Sequence, residues 1–174
     1  MLKALWANRP ATWSQSGLAW IWLAVLSLLL DQATKLWVAA TVSYGAQIAL
    51  VPYLNLTYVH NTGAAFSFLA DAGGWQRWGF AIFAVVVSIG LLWSLRTEPK
   101  QKRILNIGYV LILSGAIGNM IDRLAYGYVI DFVDFYVGAW HWPAFNVADS
   151  AICIGAALMI LDSFRHPSPA KEAK

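Results

Sequence analysis

Charge is scarce in this 174-residue sequence: Asp, Glu, Lys and Arg together make up 12%, about half the share usual in a soluble domain. That is too little to cover a water-soluble body of this size. Cysteine is scarcer still. A single one, Cys153, excludes an internal disulfide and any multi-cysteine zinc site, and its apolar setting reads as packing. The three histidines, His60, His141 and His166, are too scattered to look like a metal site. Residues 39–73 contain neither Lys nor Arg, and no repeat, low-complexity tract or second domain is visible. What is abundant points one way. Hydrophobic residues reach 59% and there are ten tryptophans, the residue that concentrates at bilayer interfaces. The composition is that of an integral membrane protein.

A bilayer core about 30 Å thick takes roughly 20 apolar residues of helix. Four stretches qualify: Leu18–Val38, Gly74–Leu95, Ile104–Ile121 and Pro143–Phe164. The first reads as a membrane span and not as a cleavable signal peptide, because it follows a 17-residue leader and carries Asp31 and Lys35. Nine of the twelve basic residues (Lys3, Arg9, Arg96, Lys100, Lys102, Arg103, Arg165, Lys171 and Lys174) flank the spans on one side. Both termini and the middle loop are therefore expected in the cytoplasm. This explains the net charge of +3 without a nucleic-acid partner. On the other side, 39–73 contains Tyr53–His60, rich in β-formers, and is expected to form a small extracytoplasmic sheet. The second connection, 122–142, holds seven aromatics (Tyr126, Tyr128, Phe132, Phe135, Tyr136, Trp140 and Trp142) and is expected to lie as an interfacial segment in the headgroup region. The fold class expected is thus an all-α membrane protein of four spans, one domain, with a small sheet outside.

Polar groups at membrane depth cost several kcal/mol unless partnered, so they are the informative ones. Asp31 and Lys35 are one turn apart near the outer end of the first span and read as a structural ion pair. Ser114, Gly115, Ala116 and Gly118 allow close helix approach; Asn119 and Arg123 share a face, and Asp122 reads as a helix-end ion pair. Asp71 reads as a turn residue in a Gly-rich corner. Asp131 lies among apolar and aromatic neighbours, and Asp149 lies three residues after Asn146 at the start of the last span, where an N-cap is the ordinary reading. Two carboxylates held close share a proton, so that one activates water while the other polarises a carbonyl. That is aspartic-peptidase chemistry, and it needs no metal or cofactor. On these grounds Asp134 is nearly as good a partner for Asp149 as Asp131.

Four blocks resemble the bacterial lipoprotein signal peptidases (signal peptidase II): Asp31-Gln32-Ala33-Thr34-Lys35; Asn61-Thr62-Gly63-Ala64-Ala65-Phe66-Ser67; Gly118-Asn119-Met120-Ile121-Asp122-Arg123, continuing through Gly127, Val129 and Asp131-Phe132; and Phe145-Asn146-Val147-Ala148-Asp149-Ser150. The resemblance spans about 18–164. It implies an inner-membrane aspartic endopeptidase that cuts prolipoproteins before a diacylglyceryl-modified cysteine. Asp131 and Asp149 would be the catalytic pair, and Asn61, Gly63, Asn119, Arg123 and Asn146 substrate-pocket residues. Asp31, Lys35 and Asp122 would be structural polar residues. Expected partners are lipid-modified prolipoproteins and membrane lipids. A monomer is expected, with its active site on the periplasmic side, and the resemblance implies inhibition by globomycin-type cyclic peptides.

Two other classes compete with it. A small proton-coupled carrier could use Asp131 and Asp149 as a relay, but no inverted repeat is present and no acid is expected at the middle of a span. A non-enzymatic lipid-binding assembly factor would need no paired buried acids.

Overall fold

The computed structural model describes residues 10, 12–63 and 74–165. Two short 3₁₀ turns, Trp13–Gln15 and Gly17–Trp20, lead into α1 (Ile21–Thr41). Strands β1 (Gln47–Val51) and β2 (Leu54–Asn61) follow, then α2 (Gln76–Thr97) and α3 (Arg103–Tyr126). Strands β3 (Val129–Val137) and β4 (Trp140–His141) precede α4 (Val147–Arg165). All four helices are long and apolar enough to cross a membrane. They are apolar nearly all round, as lipid-facing helices are, so Leu29, Phe83, Ile89 and Ile160 are exposed where a soluble bundle would present charge.

With lipid outside and protein inside equally apolar, helices associate through close contact of small residues. The α3–α4 crossing shows this: a Cβ on Gly155 would stand 2.6 Å from the Gly108 carbonyl oxygen, so only glycine permits the approach. The strands form one antiparallel sheet in the order β1-β2-β3-β4, with the β2–β3 register interrupted between Leu56 and Val59. Val38 and Val42 at the end of α1 pack against Ile130 and Phe132 of β3, fixing the sheet to the end of the bundle.

Three expectations change. The first helix continues to Thr41, so Asp31 lies mid-helix and not near an end. Its charge is tolerated there because it is buried and paired. Residues 122–142 are not one connection: 122–126 complete α3, and the rest supplies β3, an inner strand of the sheet with Phe132 buried, and the short β4. The last helix begins at Val147, leaving Pro143 in the connection before it. Asp71 and the stretch Ala64–Ser67 lie outside the described residues.

Candidate active site

The site is assembled where α1, α3, β3 and the start of α4 meet under the sheet. Asn146 is its pivot. Its side-chain oxygen accepts from the Asp149 N–H at 2.9 Å, and its own N–H donates to Asp149 Oδ2 at 3.2 Å, a reciprocal cap that starts α4. The expected capping role therefore belongs to Asn146, which leaves Asp149 Oδ1 to receive Asn119 Nδ2 at 2.8 Å. The Asn146 amide also donates to Asp131 Oδ1 at 2.7 Å. One asparagine thus touches both carboxylates. Asp131 Oδ2 accepts from Asn61 Nδ2 at 3.0 Å, and Asn61 Oδ1 in turn holds the Gly63 N–H at 3.0 Å. Arg123 reaches the Gly63 carbonyl at 2.6 Å and stacks over the Phe80 ring at 4.9 Å.

Asp131 is 2% exposed. Burial, and then the negative charge of Asp149, push its carboxyl up to about 7. Asp134 is also buried but stands apart from this arrangement: it is held by Asn55 Nδ2 at 2.9 Å and by the His141 ring at 2.9 Å. Of these two acids, Asp131 shares Asn146 with Asp149 and Asp134 does not.

Beneath lies a buried network. Lys35 Nζ contacts Asp31 Oδ2 at 2.9 Å, Asp122 Oδ2 at 3.0 Å and Asn119 Oδ1 at 2.9 Å. Each of its acids also grips backbone. Asp31 Oδ1 accepts from the Ala148 N–H at 2.8 Å, and Asp122 Oδ2 from the Ile130 N–H at 3.1 Å. Those residues immediately precede Asp149 and Asp131. Gln32 completes the network, donating to Asp31, Asp122 and the Gly118 carbonyl at 3.0–3.3 Å. Sequence reasoning assigned Gln32 no role. The signal available was a second uncharged polar group beside Asp31 in an apolar span. Gly118 is required here too, because a Cβ would stand 2.5 Å from Asp31 Oδ2. Gly118→Ala is expected to destabilise the protein by about 1–3 kcal/mol, read as a lower midpoint of thermal unfolding.

Three cavities converge on the carboxylates, and all three have Asn61 on their walls. One of about 290 Å³ runs between α2, α3 and α4, with an apolar wall including Phe83, Val87 and Ile112 and a polar rim of Asn119, Arg123 and Asp149. A second, about 480 Å³, lies on the other side of Asp149 along Trp142, Phe145, Cys153 and Ile154. The third, about 390 Å³, faces the sheet and is lined by polar groups including Thr57, His60, Asp131 and His141. Among the described residues, no three His, Cys, Asp or Glu come together as metal ligands would.

Residues 23–165 match the family model described as signal peptidase (SPase) II. The chain belongs to the signal peptidase II family. A lipoprotein signal peptidase of Shewanella pealeana is 55% identical over 155 residues, 89% of this chain and 91% of that one. One from Photorhabdus laumondii is 53% identical over 160 residues, covering 92% and 95%. A bacterial membrane enzyme solved by the in meso method at 2.3 Å superposes with a TM-score of 0.77 at 32% identity, covering 88% of this chain and 92% of that one. This member of the signal peptidase II family is a multi-pass bacterial membrane protein and a peptidase. Described residues from all four blocks line this site or its network: Asp31 and Lys35, Asn61 and Gly63, Asn119, Arg123 and Asp131, and Asn146 and Asp149.

Proposed function

We propose that this signal peptidase removes the signal peptides of prolipoproteins by an aspartic mechanism, with Asp131 and Asp149 as the catalytic pair. The observation that carries this reading is the pair of carboxylates oriented by one shared asparagine in a site open on three sides. Asn146 and Asn119 hold the oxygens of both acids in fixed directions. Asp131, with its carboxyl pushed up to about 7, is about half protonated at neutral pH, so the pair can hold one shared proton. A water between the acids loses a proton to the ionised carboxylate as it attacks the scissile carbonyl. The protonated partner polarises that carbonyl and later passes its proton to the leaving amine.

The cavities fit the three parts of such a substrate. The apolar cavity between α2, α3 and α4 takes the signal segment, the cavity along Phe145 and Ile154 takes acyl chains, and the polar cavity under the sheet leads the remaining chain away from the membrane. The cut falls before the cysteine that bears a diacylglyceryl group. A signal helix must unwind there, since its carbonyls are hydrogen-bonded internally. Asn61, Gly63, Asn119, Arg123 and Asn146 supply substitute partners for the extended backbone. On the charge bias of the loops, the site faces the periplasm, both termini face the cytoplasm, and the membrane is the inner one. The enzyme acts as a monomer. Globomycin-type cyclic peptides would occupy the same site as inhibitors.

The test is a side-by-side assay of lipidated and unlipidated precursor in one bilayer preparation. Acyl chains add about 0.8 kcal/mol of membrane affinity per CH₂ and hold the cysteine at a fixed depth, level with the carboxylates. Fixing the reacting bond in this way can lower the barrier by several kcal/mol. Unlipidated precursor is expected to be cut at least about 10²-fold more slowly. Equal rates would remove lipid recognition from this account.

A further inference from the structure

We infer that the end of the bundle farthest from the sheet carries a binding site for the phosphate headgroup of an anionic membrane lipid, formed by Lys100, Arg103, Trp20 and Trp22. A cavity of about 550 Å³ lies there between the start of the first span and the α2–α3 turn, lined by these residues with Ala19 and Gln101. It is a built feature. The Trp20 indole N–H donates to the Lys100 carbonyl at 3.1 Å, and the Lys100 N–H donates to the Gln15 carbonyl at 2.9 Å. The Gly17 N–H donates to the Glu98 carbonyl at 2.8 Å, and the buried Asn106 amide to the Pro99 carbonyl at 2.8 Å. The turn bearing the cations and the segment bearing the indoles are therefore locked together.

Charge selects the occupant. Of the three basic residues in this turn, Lys102 pairs with Glu98 at 2.8 Å. Among the described residues no carboxylate forms a salt bridge with Lys100 or Arg103, and both are exposed. Membrane orientation requires positive charge on one side, yet it requires neither a cavity nor a tethered indole. Nor does helix stability account for Arg103, which opens α3 where a cation opposes the helix dipole. A phosphodiester fits: guanidinium and ammonium donors meet its oxygens, as in basic pockets that bind lipid headgroups. Indoles favour the headgroup–glycerol region of a bilayer, which suits Trp20 and Trp22, and the exposed Trp22, Val25, Leu26 and Leu29 of α1 offer an apolar track for the acyl chains. Two cations that pair with no carboxylate among the described residues favour an anionic headgroup over a zwitterionic one.

The experiment uses the full chain in detergent, titrated with phosphatidylglycerol, phosphatidylcholine or inorganic phosphate. Thermal unfolding and native mass spectrometry are read in parallel. Phosphatidylglycerol should raise the unfolding midpoint saturably and remain bound in the spectrometer; phosphatidylcholine and phosphate should do neither. Lys100→Gln with Arg103→Gln should weaken phosphatidylglycerol binding about thirtyfold, at about 1 kcal/mol per cation, while precursor cleavage is unchanged. Trp22→Ala, which keeps both cations, should reduce retention in the spectrometer. Equal binding of phosphatidylcholine, or undiminished phosphatidylglycerol binding in the double variant, would overturn the inference. A shift reproduced by inorganic phosphate would make this a soluble-anion site and overturn it as well. The site lies at the opposite end of the bundle from Asp131, so none of these outcomes bears on the peptidase mechanism.

Discussion

Asp131→Asn and Asp149→Asn are each expected to reduce cleavage of lipidated precursor by about 10³- to 10⁴-fold, while the protein still inserts and folds. The expectation rests on a proton shared between two carboxylates that Asn146 and Asn119 hold in place. A permanently neutral amide can neither take a proton from water nor lend one to the leaving amine. The same pair sets a pH dependence. Asp131 ionises only near 7, above its ordinary 3.8, because it is buried and Asp149 is close. A carboxylate with a raised folded-state value favours the folded protein below its ordinary value and loses that contribution as pH rises through the raised one. Activity should therefore decline on the alkaline side as the shared proton is lost. Stability should drift downward between about pH 4 and 7, a slope that Asp131→Asn should flatten. The measurements are rate against pH and unfolding midpoint against pH. Turnover at the wild-type rate in either variant would rule out the pair. Misfolding of both would mark the acids as parts of a structural network instead.

Most of the bundle is legible in the sequence, because an apolar run of membrane length is seldom anything but a span. The misreadings occur where an element crosses from lipid to water. Polar residues there look like the end of a helix, yet α1 runs three residues past the expected Val38, to Thr41, and α3 past Asp122 and Arg123 to Tyr126. Strand β3 is hidden by its own composition. Val129–Val137 consists of β-formers and two acids without clean alternation, since most of it is buried by bundle and sheet together. Its aromatic content draws the eye first, while its β-formers build an inner strand. The site residues are legible one by one, as polar groups at membrane depth. Their connections are not. No spacing rule tells that Asn146 faces residue 131 and not residue 134, because this depends on how β3 is bridged to Phe145 at Val133. Gln32 likewise gains meaning only once Asp122 is brought beside Asp31.

Lys35→Met is expected to lower stability more than Gly118→Ala, Asp131→Asn or Asp149→Asn, and to impair cleavage although Lys35 touches neither Asp131 nor Asp149. Lys35 is 1% exposed and is the only cation that neutralises Asp31 and Asp122 among the salt bridges of the described residues. Removing it leaves two buried carboxylates without a countercharge, a loss of about 3–5 kcal/mol. The damage is directed. Asp31 holds the N–H of Ala148, and Asp122 holds the N–H of Ile130, so the network fixes the backbone immediately before Asp149 and Asp131. A methionine of similar length fills the volume but gives Asn119 Oδ1 no donor in place of the ammonium, which loosens the amide that faces Asp149. A displacement of about 1 Å at a reacting group can reduce turnover about 10²-fold. The decisive comparison is Lys35→Met alone against Lys35→Met with Asp31→Asn and Asp122→Asn. Neutralising the orphaned acids should restore much of the unfolding midpoint, because an uncharged buried cluster has no ion to desolvate. Cleavage should recover far less, because the geometry set by the ammonium is still missing. If Lys35→Met alone retained both the wild-type midpoint and the wild-type rate, the lysine would not be the member that positions the pair.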